Sequence, residues 1–152
     1  MNHAPQAWDL NPQLDIADVG CGVDLSTRDI ASLIMGLYGK ELPLLRMKAV
    51  DPFHYFFAVA EVFQAEADAM KTGTPKISVE YIHGLGKNTI FPDDSLDLYT
   101  IQVMKHELPD SATIAVVAEV FRVLRPGGVF AMLEAHPRGD GNREFTPRNR
   151  CS

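Results

Sequence analysis

The stretch that decides the fold is LDIADVGCGVDLSTRDIA, residues 14–31. Leu14 to Val19 is a short apolar run that ends in Gly20-Cys21-Gly22, and it reads as a buried strand feeding a glycine turn. Glycines directly after a strand let the backbone turn tightly and approach a ligand with no Cβ in the way. A purely structural turn is the competing explanation for an isolated G-x-G. A dinucleotide site of the NAD type calls for G-x-G-x-x-G; Leu25 holds the last position of that pattern here, which disfavours NAD. Ser26 and Thr27 offer helix caps, and Asp29 suits a first turn, where the helix dipole is positive. Ile30, Leu33, Ile34 and Leu37 follow at helical spacing, and Gly36 and Gly39 weaken and end that helix.

Outward from this stretch, apolar runs and helical patterns alternate. Arg46 to Val50 is a second strand, closed by Asp51-Pro52. Tyr55 to Lys71 lacks Gly and Pro and is a helix. Ile77 to His83 alternates with β-branched and aromatic residues and gives a third strand, followed by a glycine-bearing loop from Gly84 to Asp94. Leu96 to Val103 is a fourth strand. A helix capped by Asp110 or Ser111 runs to Leu124, Arg125-Pro126-Gly127-Gly128 is a turn, and Val129 to Glu134 is a fifth strand. Strands alternating with helices return by crossovers, which makes the sheet parallel and covered on both faces. The expectation is an α/β doubly wound parallel sheet of about five strands, Rossmann-like and ending after the fifth. Ligands of such sheets bind at the carboxyl ends of the strands, where the strand order reverses.

Composition narrows the function classes. The 152 residues suffice for one compact domain. The expected division is an N-terminal arm over 1–13, a domain over 14–135 and a loose tail over 136–152. A net charge of -6 argues against a nucleic-acid surface, which needs clustered Lys and Arg. Cys21 and Cys151 lie at opposite ends, so no disulfide framework or metal cluster is expected. No apolar run approaches the roughly 18 residues of a spanning helix. The first residues lack the basic-then-apolar pattern of a secretory signal. The expected location is cytoplasmic, with an organellar address upstream of the start left open.

Asp51 closes the second strand. A carboxylate there can accept hydrogen bonds from both ribose hydroxyls of a nucleoside ligand. It can equally cap the helix that follows, since Asp-Pro is common at helix starts.

Four segments in order resemble one family: LDIADVGCGVDLSTRDIA (14–31), KAVDPFHYFFAVAE (48–61), FPDDSLDLYTIQVMKHELPD (91–110) and EVFRVLRPGGVFAMLEA (119–135). The chain is identified as similar to class I S-adenosylmethionine-dependent methyltransferases, in the ubiquinone/menaquinone-biosynthesis-like (methyltransferase type 11) group. That resemblance implies S-adenosyl-L-methionine as cofactor and a small molecule as methyl acceptor. It implies that Gly20, Cys21 and Gly22 lie under the methionine part, that Asp18 fixes the loop and orients the amino group, and that Asp51 holds the ribose. Pro52 and Phe53 would flank the adenine, Gly86, Lys87 and Asn88 would sit at its edge, and Gln102 would face the cofactor. His106 and Glu107 would lie on the acceptor side.

Two positions depart from the family pattern. Asp24 stands where a further glycine is usual, placing a carboxylate near the cofactor's own. Lys87 stands where an acidic residue usually accepts from the adenine amino group, and lysine has donors only. The chain is also short beside the family.

Methyl transfer needs alignment and a dry pocket more than covalent chemistry from the protein. Some acceptors also need a general base, and His106 is the candidate, histidine being the side chain suited to proton transfer near neutrality. The other reading of His106 is a loop start. His83 reads as structural, and Cys21 as a small residue filling a tight loop. Three functions follow: a small-molecule methyltransferase, a methyltransferase-like binding or scaffold domain without turnover, and a different nucleotide-binding Rossmann domain. The fifth strand is expected to be an unprotected edge, open to a second copy or a partner chain.

Overall fold

The backbone makes five strands and three helices within a computed structural model that describes residues 13–38, 44–69 and 77–134. In order they are β1 (Gln13–Val19), α1 (Leu25–Tyr38), β2 (Leu44–Asp51), α2 (Tyr55–Ala69), β3 (Ile77–His83), β4 (Leu96–Gln102), α3 (Asp110–Val123) and β5 (Leu124–Leu133). A 3-10 turn, Lys105–Glu107, links β4 to α3. All neighbouring strands pair in parallel, in the order β3-β2-β1-β4-β5. The order therefore reverses between β1 and β4, and the carboxyl ends of those two strands form the rim where such a sheet binds ligands.

The core has two sides. On one, Leu14, Ile16, Leu45 and Met47 of the sheet pack against Ile30, Ala31 and Ile34 of α1. On the other, Ala17, Val19, Val50, Tyr99 and Ile101 pack against Val116, Val120 and Val123 of α3, with Phe91 from the β3–β4 connection. Strand side chains alternate between faces, so one apolar run serves both layers.

Four local readings change. The buried stripe of α1 is Thr27, Ile30, Ala31 and Ile34, while Leu33 and Leu37 are exposed. Both sets fit a 3.6-residue period, and the position of the sheet selects between them. Ser26 and Thr27 do not cap α1; their hydroxyls donate to Asp18 instead, at 2.5 and 2.8 Å. Val103 leaves the strand with φ 52°, unusual for a β-branched residue. Arg125-Pro126-Gly127-Gly128 is a bulge inside β5 rather than a separate turn: Leu124 pairs Leu96, and Val129 already pairs Leu98. A Cβ on Gly128 would meet the Arg125 carbonyl oxygen at 2.9 Å. Residues 1–12 of the expected arm and the whole expected tail, with Gly39, Lys71 and Cys151, lie outside the described residues, while Gln13 opens β1.

The bulge presents Arg125 to two buried acids at the amino end of the sheet. Its guanidinium lies 2.6 Å from Asp97 and 3.0 Å from Asp15. Asp15 also holds Arg46, at 2.8 Å, and Asp97 accepts the Asp15 backbone N–H at 2.8 Å. Burial pushes the Asp15 carboxyl up, but hydrogen bonds from Arg125, Arg46 and Gln13 outweigh it and hold it below the ordinary range. β1, β2, β4 and β5 are thereby tied together away from the ligand rim.

Arg125→Ala leaves two buried carboxylates short of a partner and is expected to cost about 2 kcal/mol, read as a lower urea midpoint at neutral pH. A depressed carboxyl stabilises the fold above its unfolded range and loses that effect on acidification. The difference between variant and wild type should therefore narrow as pH falls below 4.

Candidate functional site

Gly20-Cys21-Gly22 turns the chain from β1 toward α1 with φ of 77° at Gly20 and 53° at Gly22, a region open to glycine. The Gly20 and Cys21 N–H groups donate to the Val50 carbonyl, at 2.8 and 3.3 Å. The Gly22 N–H donates to Asp51 Oδ2 at 3.0 Å. Asp51 Oδ1 accepts the Phe53 N–H at 2.8 Å, two residues on, so the acid closes a turn before α2 rather than capping the helix itself. The glycine turn and the acid of β2 thus share one rim.

Asp18 is buried beneath the turn. Oδ2 accepts from Ser26 and Thr27, and Oδ1 from Thr100 at 2.8 Å. Three hydroxyls from α1 and β4 therefore hold the residue that precedes the turn. Cys21 is buried among Ala49 and Phe57. Burial, then the nearby carboxyls of Asp18, Asp51 and Asp24, push its thiol far up, which suits a filler and not a nucleophile.

A cavity of about 300 Å³ opens beside the turn. That lies at the low end for small-molecule sites. Gly20, Pro52, Gly86 and Lys87 line it, together with Met104 and Leu108. Asp18, Cys21, Gly22 and Asp51 are not on its wall. Asn88 is exposed, and its N–H closes a short turn on Leu85 at 3.1 Å. Gln102 ends β4, half-buried and off the cavity wall. The next residues take over its expected place: Val103, its N–H bonded to the Leu133 carbonyl at 2.8 Å, turns the chain. Met104 then packs over Gly20, where an added Cβ would meet its sulfur at 2.5 Å.

The wall that carries Gly86 and Lys87 is held by residues the sequence reading passed over. Tyr99 donates to the Gly86 carbonyl at 3.1 Å. Buried Glu119 on α3 accepts from both the N–H and the hydroxyl of Thr89, each at 2.6 Å. Arg122 bonds Glu119 at 2.6 Å and reaches Asp93 at 2.6 Å. The signal was a lone acid in the Val116–Val120–Val123 stripe with an arginine three residues on. That guanidinium, opposed by burial and aided by Thr89, holds Glu119 down at about 2.

His106 sits on the 3-10 turn between Met104 and Leu108, and its Nδ1 lies 2.8 Å from Glu134 Oε1. His83 Nε2 lies 3.0 Å from the Pro52 carbonyl, a tie from β3 to the start of α2.

Residues 17–132 match a family model described as a methyltransferase domain. A sterol 24-C-methyltransferase of Yarrowia lipolytica is 33% identical over 130 residues, spanning 82% of this chain and 28% of that protein. A demethylmenaquinone methyltransferase of Listeria welshimeri is 37% identical over 71 residues, 43% of this chain and 29% of that protein. The chain thus spans less than a third of the length of either relative. A SAM-dependent methyltransferase from Aquifex aeolicus superposes with a TM-score of 0.61 at 16% identity, over 85% of this chain and 62% of that one. At that identity the likeness speaks for the fold alone.

Asp24, expected to crowd the ligand, points the other way. It is fully buried with φ 75°, and it is not on the cavity wall. Its carboxyl oxygens and the Tyr81 hydroxyl make no hydrogen bond among the described residues. Arg28 Nε is 3.7 Å from Oδ2. Burial pushes the Asp24 carboxyl up, while Tyr81, Thr27 and Arg28 draw it down less strongly. An acid raised by folding stabilises the protein below its unfolded range and costs stability as pH rises. Asp24→Asn is isosteric and tolerates positive φ. It is expected to raise stability by about 1 kcal/mol at neutral pH, with the gain vanishing below pH 4 in thermal melts. Glu119 runs opposite: its contribution is present above 4.5 and lost toward about 2. Glu119→Gln should flatten that part of the melting-temperature profile.

Proposed function

The chain belongs to the methyltransferase-domain family, and from that premise we propose that it binds S-adenosylmethionine and serves methyl transfer to a small-molecule acceptor. The observation that carries the proposal is the 3.0 Å bond from the Gly22 N–H to Asp51, beside a cavity walled by Gly20, Pro52, Gly86 and Lys87. When bound, the cofactor supplies a methyl group already activated by its sulfonium.

The residues present suit that ligand. An added Cβ at Gly22 would meet nothing within 4 Å, so the turn faces open space at that residue. Each Asp51 oxygen accepts one backbone N–H and keeps a second lone pair for a ribose hydroxyl. Pro52 offers an apolar surface to the adenine, with Lys87 and Asn88 at its edge. Asp18 and Asp51 flank the turn, which favours a cationic sulfonium ligand over the pyrophosphate of a dinucleotide. Apolar Val19, Leu85, Met104 and Leu108 keep the reacting end dry. With Asp24 turned inward, its charge is no obstacle to the cofactor carboxylate.

A partner surface belongs to the same reading. β5 is an edge strand among the described residues, and Met132 and Leu133 on it are exposed. Such an edge suits pairing with a second copy or with another chain. No helix of the described residues is long and apolar enough to cross a membrane.

Calorimetry with S-adenosylhomocysteine tests the proposal: micromolar binding is expected, and no heat at millimolar ligand would overturn it. Asp51→Ala should weaken binding by about 1 to 3 kcal/mol. An unchanged affinity would confine Asp51 to holding the turn.

A further inference from the structure

We propose that this chain forms a two-fold dimer through the open edge of β5 and the adjoining flank of α3, with a second copy continuing the sheet. The inference commits the β5 edge to one occupant, and it does not depend on what the cavity binds.

The helix supplies half of the face. Val116, Glu119, Val120 and Val123 are the buried residues of α3. Glu119 reaches Thr89 in the β3–β4 connection, and Ala112 lines the cavity, so one flank of the helix is turned toward the ligand side. Ile114, Val117 and Phe121, spaced three and four apart, share the other flank. All three are exposed, Ile114 at 71% and Phe121 at 79%. That flank lies toward β5, the outer strand of the sheet among the described residues.

The strand supplies the other half. Side chains of a strand alternate between faces. The Phe130 ring lies 6.2 Å from the ring of Tyr99, which belongs to the core on the α3 side. Phe130 and Met132 therefore stand on the same side of the sheet as α3, and both are exposed. Exposed edges ordinarily carry a charge, a proline or a bulge that blocks pairing. Pro126 and the bulge lie before Val129, and Val129 to Leu133 carries none of the three.

One symmetry satisfies both halves: a two-fold axis perpendicular to the sheet. It sets the two β5 edges antiparallel, with their N–H and C=O groups facing, and keeps both copies of α3 on one side. α3 descends as β5 climbs, so the middle of each lies at one height. An axis beside Val117 brings Ile114 of each copy opposite Phe121 of the other, the reciprocity that an isologous interface requires. None of the five side chains is charged, so the face suits its own copy and offers nothing to a charged partner. Specific interfaces take roughly 600 to 1,000 Å² from each partner. Ile114, Val117, Phe121, Phe130 and Met132 expose on the order of 500 Å² in each copy, taking about 150 to 250 Å² for a large side chain. The paired backbone of Val129 to Leu133 adds to that, which reaches the lower end of the range.

Sedimentation of the 152-residue chain from micromolar to submillimolar concentration tests the proposal. The mass is expected to rise from one chain to two and to stop there. Phe121→Lys and Met132→Lys each bury an unpaired charge in the dimer and should weaken it about tenfold or more. Both side chains are exposed in the single chain, so circular dichroism of the variants should match wild type. Leu37→Lys, at an exposed position of α1 away from this face, should leave the dimer unchanged. A single-chain mass across the whole range overturns the proposal and leaves the face to residues beyond 134 or to a different protein. A dimer that survives both Phe121→Lys and Met132→Lys overturns it, and so does growth beyond two chains, which a closed two-fold forbids.

Discussion

The Asp18 carboxylate is the constraint on which the rest depends. It lies one residue before the end of β1, is buried, and accepts from Thr100 of β4 and from Ser26 and Thr27 of α1. A buried carboxylate without partners would be costly, so its three hydroxyl donors leave little freedom in how β1, β4 and α1 meet. They meet at the reversal of strand order. The glycine turn starts two residues later and inherits that geometry. Its own N–H groups are then tied sideways to Val50 and Asp51 of β2. A loop of small residues is thereby held by polar groups of β1, β2, β4 and α1.

The cavity wall follows the same logic on the other side. Gly86 and Lys87 lie in the connection between β3 and β4, which has no helix of its own among the described residues. Tyr99 from the sheet and Glu119 with Arg122 from α3 hold it. The cavity wall is thus mostly backbone and apolar surface, and the polar groups that place it sit one layer back. Gly20 shows how close the fit is. The φ of 77° and the Met104 sulfur each exclude a side chain there.

The two ends of the sheet divide their tasks. The amino end carries Asp15, Asp97, Arg46 and Arg125, an ionic clasp across four strands off the cavity wall. The carboxyl end carries the glycine turn, Asp51, the cavity and the His106–Glu134 pair. The bulge in β5 serves the first task, and the strand end beyond it serves the second. Val103, at φ 52° with its N–H bonded to the Leu133 carbonyl, stores backbone strain at the carboxyl end, beside Met104 of the cavity wall.

The succession of strands and helices was legible in the amino-acid sequence, because apolar run length and period are local properties, and their alternation made the sheet parallel. Ile77–His83 was read to the residue, and the glycine turn with Asp51 on a common rim followed from strand alternation. The family was legible from four short segments in order. What local pattern left open was direction. Leu33 and Leu37 share the helical period of Ile30 and Ile34, yet only the sheet opposite decides which stripe is covered. Asp24 follows two glycines of the turn, and only the left-handed backbone sends its carboxyl inward, away from the cavity. Ser26 and Thr27 look like caps until a buried acid on another strand claims their hydroxyls. Glu119 and Glu134 gain meaning from partners 30 and 28 residues away in sequence. Spacing along a chain determines which residues can share a face; three-dimensional packing determines what that face meets.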